Sequence, residues 1–253
     1  MIIEVRQTKA NLKKEFKIYY NGELQYTGKQ AGLSSRNPSW LFNLDGSVQF
    51  ESSENKKSYW RNRLMSWLFT LVVLFAWLAF DSFLVAVLAA VIYCLLSSLI
   101  PTVTKACDIL DGNEEKVARF RRILKGLLTG YYSMEYGGRE YRLYTLARSH
   151  YQYISIYLDD TQIAQINKDL HTVNNRDNYT LYLLDEEAAM ADLLAMFVLY
   201  YDNYEHGNQG EAFVGYKKNW KWTWSKTDRF YDETWLPSHF GWSVVEGSGY
   251  PEE

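Results

Sequence analysis

The sequence contains few of the residues that build covalent or metal-based frameworks, and few that favour disorder. Its 253 residues include only two cysteines and four prolines. Two cysteines exclude a disulfide network and a cysteine-rich metal cluster. The scarcity of proline, together with 21 tyrosines, 12 phenylalanines and 9 tryptophans, favours strands over a disordered chain. A formal net charge of -3 argues against nucleic acid as the main partner.

The sequence also lacks the motifs of common catalytic sites. Its four histidines are scattered, and it has no HExxH pattern, no GxSxG nucleophile elbow and no Walker-type phosphate loop. The acidic pair Asp159-Asp160 reads as a turn, and the polar stretch 174–178 lacks the alternating oxygen ligands of a calcium loop. We therefore predict a protein that is not an enzyme, with no cofactor and no catalytic or metal-binding residues.

The longest apolar run covers residues 64–100, and its only charged residue is Asp81. Since a membrane-spanning helix needs about 20 apolar residues, this run predicts two crossing helices, 64–80 and 83–100, joined by a turn at Asp81-Ser82. Basic residues flank the run on both sides, as they do at cytoplasmic ends. We predict a two-pass protein of the cell membrane with both termini in the cytoplasm; the alternative is a buried helical hairpin of a soluble protein.

Short alternating segments on both sides of this run predict β-hairpins. Asn21-Gly22 and Asp45-Gly46 lie between alternating apolar residues. Gly137-Gly138 predicts a two-residue turn that pairs Met134 with Tyr141. These signals divide the chain into four predicted parts: the first part of a cytosolic β-barrel (1–58), the transmembrane hairpin (59–104), the second part of the barrel (105–206) and an aromatic-rich extension (207–253).

Two helices are predicted within the second part of the barrel. In 114–128, apolar residues at helical spacing alternate with cations, which predicts a basic amphipathic helix. It lies either on the soluble domain or at the inner leaflet, where its candidate lipid-binding residues are Lys116, Arg119, Arg122 and Lys125. The second predicted helix is 186–203; within it, 188–201 is apolar on all sides with one charge, Asp192, and its flanks are acidic. It is too short for a membrane crossing, so it predicts a helix enclosed by the barrel.

Two further sets of residues are candidate contact sites. Trp220 and Trp222 alternate with lysine, which indicates either a strand packed on the barrel or a lipid-binding anchor at the headgroup level. Ala86 and Ala90 form a small-xxx-small step that would let another helix approach closely. With Asp81 at the far surface, they are candidate partner-binding residues.

The distributed motifs resemble the tubby-like superfamily, which includes tubby C-terminal domains, phospholipid scramblases and LURP-one-related proteins. The residues that carry the resemblance are Phe16, Ile18, Asn21-Gly22, Leu24 and Tyr26, then Phe42-x-Leu44-Asp45-Gly46-x-Val48, Ile163-Ala164-x-Ile166-x-Lys168, Asp177-x-Tyr179-x-Leu181 and the helix at 188–201. The resemblance implies a twelve-stranded barrel around a hydrophobic C-terminal helix. Unlike scramblases, this chain has no proline-rich leader and no acylated cysteine cluster, and its barrel is interrupted by a hairpin.

These expectations describe a β-rich α+β membrane protein, a tubby-like β-barrel interrupted by a transmembrane hairpin. The first function hypothesis is a non-enzymatic, membrane-anchored binding protein whose barrel contacts lipid headgroups or a protein at the inner leaflet. Its expected partners are anionic membrane lipids and a membrane protein or a second copy of the chain. An alternative is an accessory or immunity-type protein that binds a membrane protein or toxin through the hairpin. A weaker alternative, by analogy with the family, is scramblase-like activity.

Overall fold

The computed structural model contains a closed β-barrel with one helix inside it. It describes residues 1–10, 13–31, 38–80, 82–98, 102–125, 129–148, 151–169, 176–205 and 230–241. The barrel strands are β1 (Ile2–Ala10), β2 (Lys13–Tyr20), β3 (Glu23–Ala31), β4 (Ser39–Asn43), β5 (Val48–Glu54), β6 (Thr102–Asp111), β7 (Lys116–Lys125), β8 (Thr129–Tyr136), β9 (Arg139–Arg148), β10 (Tyr151–Leu158), β11 (Thr161–Asp169) and β12 (Asn178–Leu183). The α-helices are α1 (Lys56–Phe80), α2 (Phe83–Ser98), α3 (Ala191–Glu205) and α4 (Trp235–Phe240), and a 3-10 helix, Asp185–Met190, directly precedes α3.

Every described strand pairs antiparallel with its neighbours in sequence, and β12 returns to β1 to close the barrel. Strands β5 and β6 are adjacent although α1 and α2 lie between them in the chain. Tight turns join the strands at one end, which we call the turn end. At the other end β5 leads into α1 and α2 leads into β6, and we call it the α1–α2 end.

The barrel interior is filled by side chains at every second strand position, together with α3. Ile3 and Val5, or Phe16 and Ile18, point inward and are fully buried because alternate residues of a strand face the same side. From Leu193 to Tyr201 every residue of α3 is buried. The prediction of a β-rich barrel around a late apolar helix is therefore confirmed.

Helices α1 and α2 pack against each other outside the barrel. The rings of Phe69 and Tyr93 lie 5.0 Å apart, and the Tyr93 hydroxyl donates to the carbonyl of Met65 at 3.4 Å. The predicted break near residue 81 is present, although Asp81 itself lies outside the described residues.

The predicted two-pass topology, with a cell-membrane location and cytoplasmic termini, is wrong. Among the residues that the model describes, no helix has both the length and the apolar character that a membrane crossing requires. The apolar part of α1, 64–80, and the 16 residues of α2 each rise only about 25 Å. A hydrocarbon core is about 30 Å thick.

The predicted amphipathic helix at 114–128 is also wrong, because strand β7 occupies Lys116–Lys125. The decisive pattern is that Ala118 and Phe120 are buried two residues apart while Arg119 between them faces outward. That is the period of a strand rather than a helix. Residues 126–128 lie outside the described part of the chain.

The described part of the C-terminal extension packs on the outside of the barrel. The Trp235 indole donates to the Gln162 carbonyl at 3.2 Å, and the Phe230 ring stacks on Tyr144 with 3.8 Å between centroids. The extension therefore covers strands β9 to β11 on their outer face.

Candidate functional site

The four predicted lipid-binding cations lie on the single strand β7, but their environments differ. Lys116 and Arg119 face outward and share one carboxylate, with Asp108 Oδ1 at 3.1 Å from Lys116 Nζ and 2.7 Å from Arg119 Nε. These contacts hold the pKa of Asp108 below its usual value, against the opposing effect of burial. The guanidinium of Arg122 lies 5.9 Å from the centre of the Tyr132 ring.

The barrel's own carboxylates therefore neutralise much of the charge on this strand. Arg121, which the sequence did not single out, contacts Glu135 at 2.5 Å and Glu140 at 3.3 Å. The side chain of Lys125 lies outside the described part. A role of these cations in headgroup binding stays a prediction, and their existing ion pairs would compete with it.

The most exposed apolar surface of the described chain belongs to α1 and α2. Phe83 is 78% exposed and Leu84 is 75% exposed at the tip of the helical pair. Other large apolar side chains of the two helices that are at least 40% exposed include Trp60, Leu64, Trp67, Leu71, Phe75, Leu78, Leu88 and Ile92. A monomer seldom exposes a contiguous apolar patch of this size without a binding role.

Only some of the predicted partner-binding and anchor residues lie within the described part of the chain. Ala90 lies on α2 and is half-buried, whereas Asp81 and the side chain of Ala86 lie outside the described residues. Trp220 and Trp222 lie outside them as well. Near the start of α1, the Arg63 guanidinium lies 5.6 Å from the Trp60 ring, so a cation and an aromatic side chain form one exposed unit there.

A buried ionic cluster occupies the barrel interior at the α1–α2 end. Lys14 Nζ lies 2.6 Å from Asp202 Oδ2, and the Tyr179 hydroxyl donates to Asp202 Oδ1 at 2.7 Å. The Gln30 amide donates to the Leu199 carbonyl at 2.7 Å. Burial, followed by the charge of Asp202, raises the pKa of Tyr179 well above its usual value. This arrangement fixes the C-terminal part of α3 to strands β2, β3 and β12.

A second ion pair belongs to the same cluster. Lys168 Nζ lies 2.6 Å from Asp177 Oδ1, and the Asp177 backbone N–H donates to Gln7 Oε1 at 2.7 Å. Burial and the nearby Asp202 carboxylate raise the pKa of Asp177 to about 6, although Lys168 opposes that shift. Two lysines balance two aspartates, so the cluster is close to neutral.

A smaller polar site holds the other end of α3. Asp192 accepts hydrogen bonds from the Tyr20 hydroxyl at 2.7 Å and the Tyr26 hydroxyl at 2.9 Å. Burial and this carboxylate raise the pKa of both phenols, that of Tyr26 to about 12. Both polar sites thus hold the helix in place.

Sequence reasoning did not predict these buried ion pairs, although Lys168, Asp177 and Tyr179 belong to the motifs quoted above and a signal for burial was present. Lys14 stands two residues before Phe16 and four before Ile18, so strand alternation places it on the inner face. Lys168 stands two residues after Ile166 and four after Ala164, so strand alternation places it on the inner face as well. Among the described residues, no group of three or more His, Cys, Asp or Glu side chains could hold a metal ion.

Comparison with known proteins assigns this chain to no family. No protein-family model matches this chain, and no curated protein matches it either. A solved X-ray structure of a protein from Arabidopsis thaliana shares 11% identity with it, covering 78% of this chain and 89% of that chain, with a TM-score of 0.37. At that level of similarity the match does not assign the chain to a family.

Proposed function

We propose that this chain is a non-enzymatic binding protein that attaches to a lipid surface through its exposed α1–α2 pair. The barrel serves as the rigid scaffold that carries the pair. The observation behind the proposal is the exposed apolar surface of the two helices, with Phe83 and Leu84 at its tip. We further propose that the scaffold belongs to the tubby-like superfamily; its twelve strands and enclosed late helix support that assignment.

The distribution of apolar side chains favours lipid over a protein partner. A helix that docks on one protein needs an apolar stripe, with polar residues on its other faces. On α1 the exposed apolar side chains include the near-consecutive set Leu71, Val72, Leu74, Phe75, Trp77 and Leu78, which covers more than one face of the helix and leaves out the buried Ala76. A lipid phase can contact all of these exposed faces at once.

The size of the apolar gain is large enough for attachment. Four of the most exposed side chains near the tip are Phe75, Leu78, Phe83 and Leu84. Full burial of each is worth about 1.5–3 kcal/mol, so the four together contribute roughly 6–12 kcal/mol before the costs of association. The exposed Trp60 and Arg63 near the start of α1 match the residue types that favour the headgroup level.

Vesicle flotation of the full chain tests the proposal. We expect the protein to float with lipid vesicles, and we expect Phe83→Ser/Leu84→Ser to reduce its partitioning at least tenfold, since about 1.5–3 kcal/mol is lost per side chain. The matched control is Leu44→Ser, because Leu44 is 60% exposed but lies at the turn end. Its partitioning should equal that of the wild type.

Two results would contradict the proposal. The first is a wild-type chain that stays in the vesicle-free bottom fraction of the gradient, whatever the vesicle composition. The second is a tip variant that floats as well as the Leu44→Ser control. If the chain ignores vesicles but a defined membrane protein copurifies with it in mild detergent, the accessory or immunity-type alternative replaces the lipid proposal.

A further inference from the structure

The two ends of the barrel carry opposite charge. In or beside the tight turns at the turn end lie six exposed carboxylates, those of Glu23, Asp45, Glu114, Glu115, Asp159 and Asp160. Lys116 and Arg139 are the exposed basic side chains in the same described turns, and Lys116 is paired with Asp108. The turn end is therefore strongly acidic.

The α1–α2 end has the reverse composition. Its exposed charged side chains, on the described parts of β1, β2, β3, the first turns of α1 and the approach to β12, are Lys9, Lys13, Lys29, Arg61, Arg63 and Arg176. Two carboxylates also lie near this end: the Glu15 side chain of β2 is 44% exposed and pairs with Lys9, and Glu54 of β5 is half-buried. Because the chain's formal net charge is only -3, this separation of charge is invisible in its overall composition.

Strand register brings three of these lysines into one patch, which we call the lysine rim. Glu15 of β2 stands opposite Lys9 of β1 and opposite Lys29 of β3. Lys13 lies two residues before Glu15 on the same strand and faces the same side. The Lys9 ammonium is 3.5 Å from Glu15, and Lys29 lies 5.2 Å from the Phe42 ring. One carboxylate thus faces three lysines, and the rim keeps net positive charge.

We propose that the lysine rim binds the anionic headgroups of the leaflet that α1 and α2 enter, which orients the barrel with its turn end away from that surface. This inference rests on the proposed function, and it adds the class of lipid and the orientation. Positive charge around the base of an apolar projection complements anionic headgroups above hydrocarbon. The acidic turn end is repelled by the same surface, so both ends favour one orientation.

The expected effect follows from the charge near the surface. Each lysine close to an anionic leaflet contributes about fivefold in partitioning, so two lysines contribute roughly 25–30-fold. The gain is electrostatic and should shrink at high salt, because the Debye length falls to a few ångströms. The apolar contribution of the helix tip is independent of headgroup charge.

Flotation of the full chain with two kinds of vesicle tests the inference. The vesicles are pure phosphatidylcholine, and phosphatidylcholine with about 30% phosphatidylserine. We expect stronger binding to the anionic vesicles, and a roughly 25–30-fold loss of that binding in Lys13→Gln/Lys29→Gln. The control Arg139→Gln/Arg142→Gln removes two exposed positive charges from β9, on the part of the strand that follows its tight turn, and should bind anionic vesicles at least as well as the wild type.

The outcomes separate the two proposals. Equal binding of the wild type to both vesicle types would overturn the lysine rim and leave the lipid-binding function standing. Equal losses in the rim and control variants would also overturn it, since only net charge would then matter. Failure to bind either vesicle would remove the proposed function itself. Circular dichroism of each variant confirms that the barrel is folded before binding is compared.

Discussion

The buried pair of Lys14 and Asp202 offers a direct test of how α3 is held inside the barrel. The charged atoms are 2.6 Å apart, and both side chains are at most 4% exposed. Asp202→Asn keeps the shape of the side chain but leaves the Lys14 ammonium buried beside a neutral group. Breaking a buried pair in this way costs about 3–5 kcal/mol in the free energy of unfolding. We expect a loss in that range for Asp202→Asn and for Lys14→Met.

The double variant distinguishes a true pair from two independent defects. In Lys14→Met/Asp202→Asn neither member is left as an isolated charge, so the two costs should not add. We expect the double variant to be at least about 2 kcal/mol more stable than the sum of the single losses predicts. The Tyr179 hydroxyl can still donate to an asparagine oxygen at the Oδ1 position, which limits the remaining cost.

Urea-induced unfolding of the full chain in mild detergent, followed by tryptophan fluorescence, measures these differences. The matched control is Lys116→Met, because Lys116 pairs with Asp108 at 3.1 Å on the surface. Exposed pairs contribute about 0–1 kcal/mol, so the control should change little. Strictly additive losses, or a Lys14→Met loss as small as that of the control, would refute the buried pair.

Three further outcomes follow. The pKa of Asp177 is raised to about 6 in the folded state, from roughly 3.9 in the unfolded state, so the unfolded state loses its proton first as pH rises. The stability of the wild type relative to Asp177→Asn should therefore fall by at most about 3 kcal/mol between pH 4 and 6 in urea titrations. A rise over this range would contradict the predicted sign. Gly28→Val should destabilise the barrel by about 1–3 kcal/mol, since a Cβ there would lie 2.8 Å from Leu199 Cδ1; a stability equal to that of the wild type would show that α3 can move away. Burial raises the pKa of the Cys107 thiol to about 12, so in Cys94→Ser this thiol should react with a maleimide only after urea unfolds the barrel, and rapid labelling of the folded chain would contradict its burial.

The sequence predicted those parts of the fold whose signals are local. Gly137 and Gly138 both adopt positive φ, and the pairing of Met134 with Tyr141 is confirmed. The apolar segment that becomes α3 was predictable because a helix that is apolar on all faces must be buried on all sides. At Asn21-Gly22 the alternation of apolar residues predicts that Ile18 pairs with Tyr26 and Tyr20 with Leu24. The first pairing is confirmed, but the second is wrong, because a bulge pairs Leu24 with Tyr19 instead.

The errors arose where two periods fit the same residues. Val117, Phe120 and Leu124 are spaced as on a helix, yet Ala118 and Phe120 are the pair that the barrel buries. Small residues such as Ala118 carry little weight in a hydrophobic pattern, so the strand period of β7 was hidden. The charge separation between the two ends could not be read in advance, because it depends on which turns meet at each end of the closed barrel.

The pairing of β1 with β12 sets the order in which this protein can be completed. Ile3 of β1 stands opposite Leu181 of β12, so β1 cannot pair with β12 until the last strand has been synthesised. The wall stays open while the ribosome is still making the later strands, and the apolar α3 emerges only after them. A newly made chain therefore exposes both its unpaired sheet edges and its apolar α1–α2 pair, and we expect chaperones to protect these surfaces from aggregation until the barrel closes.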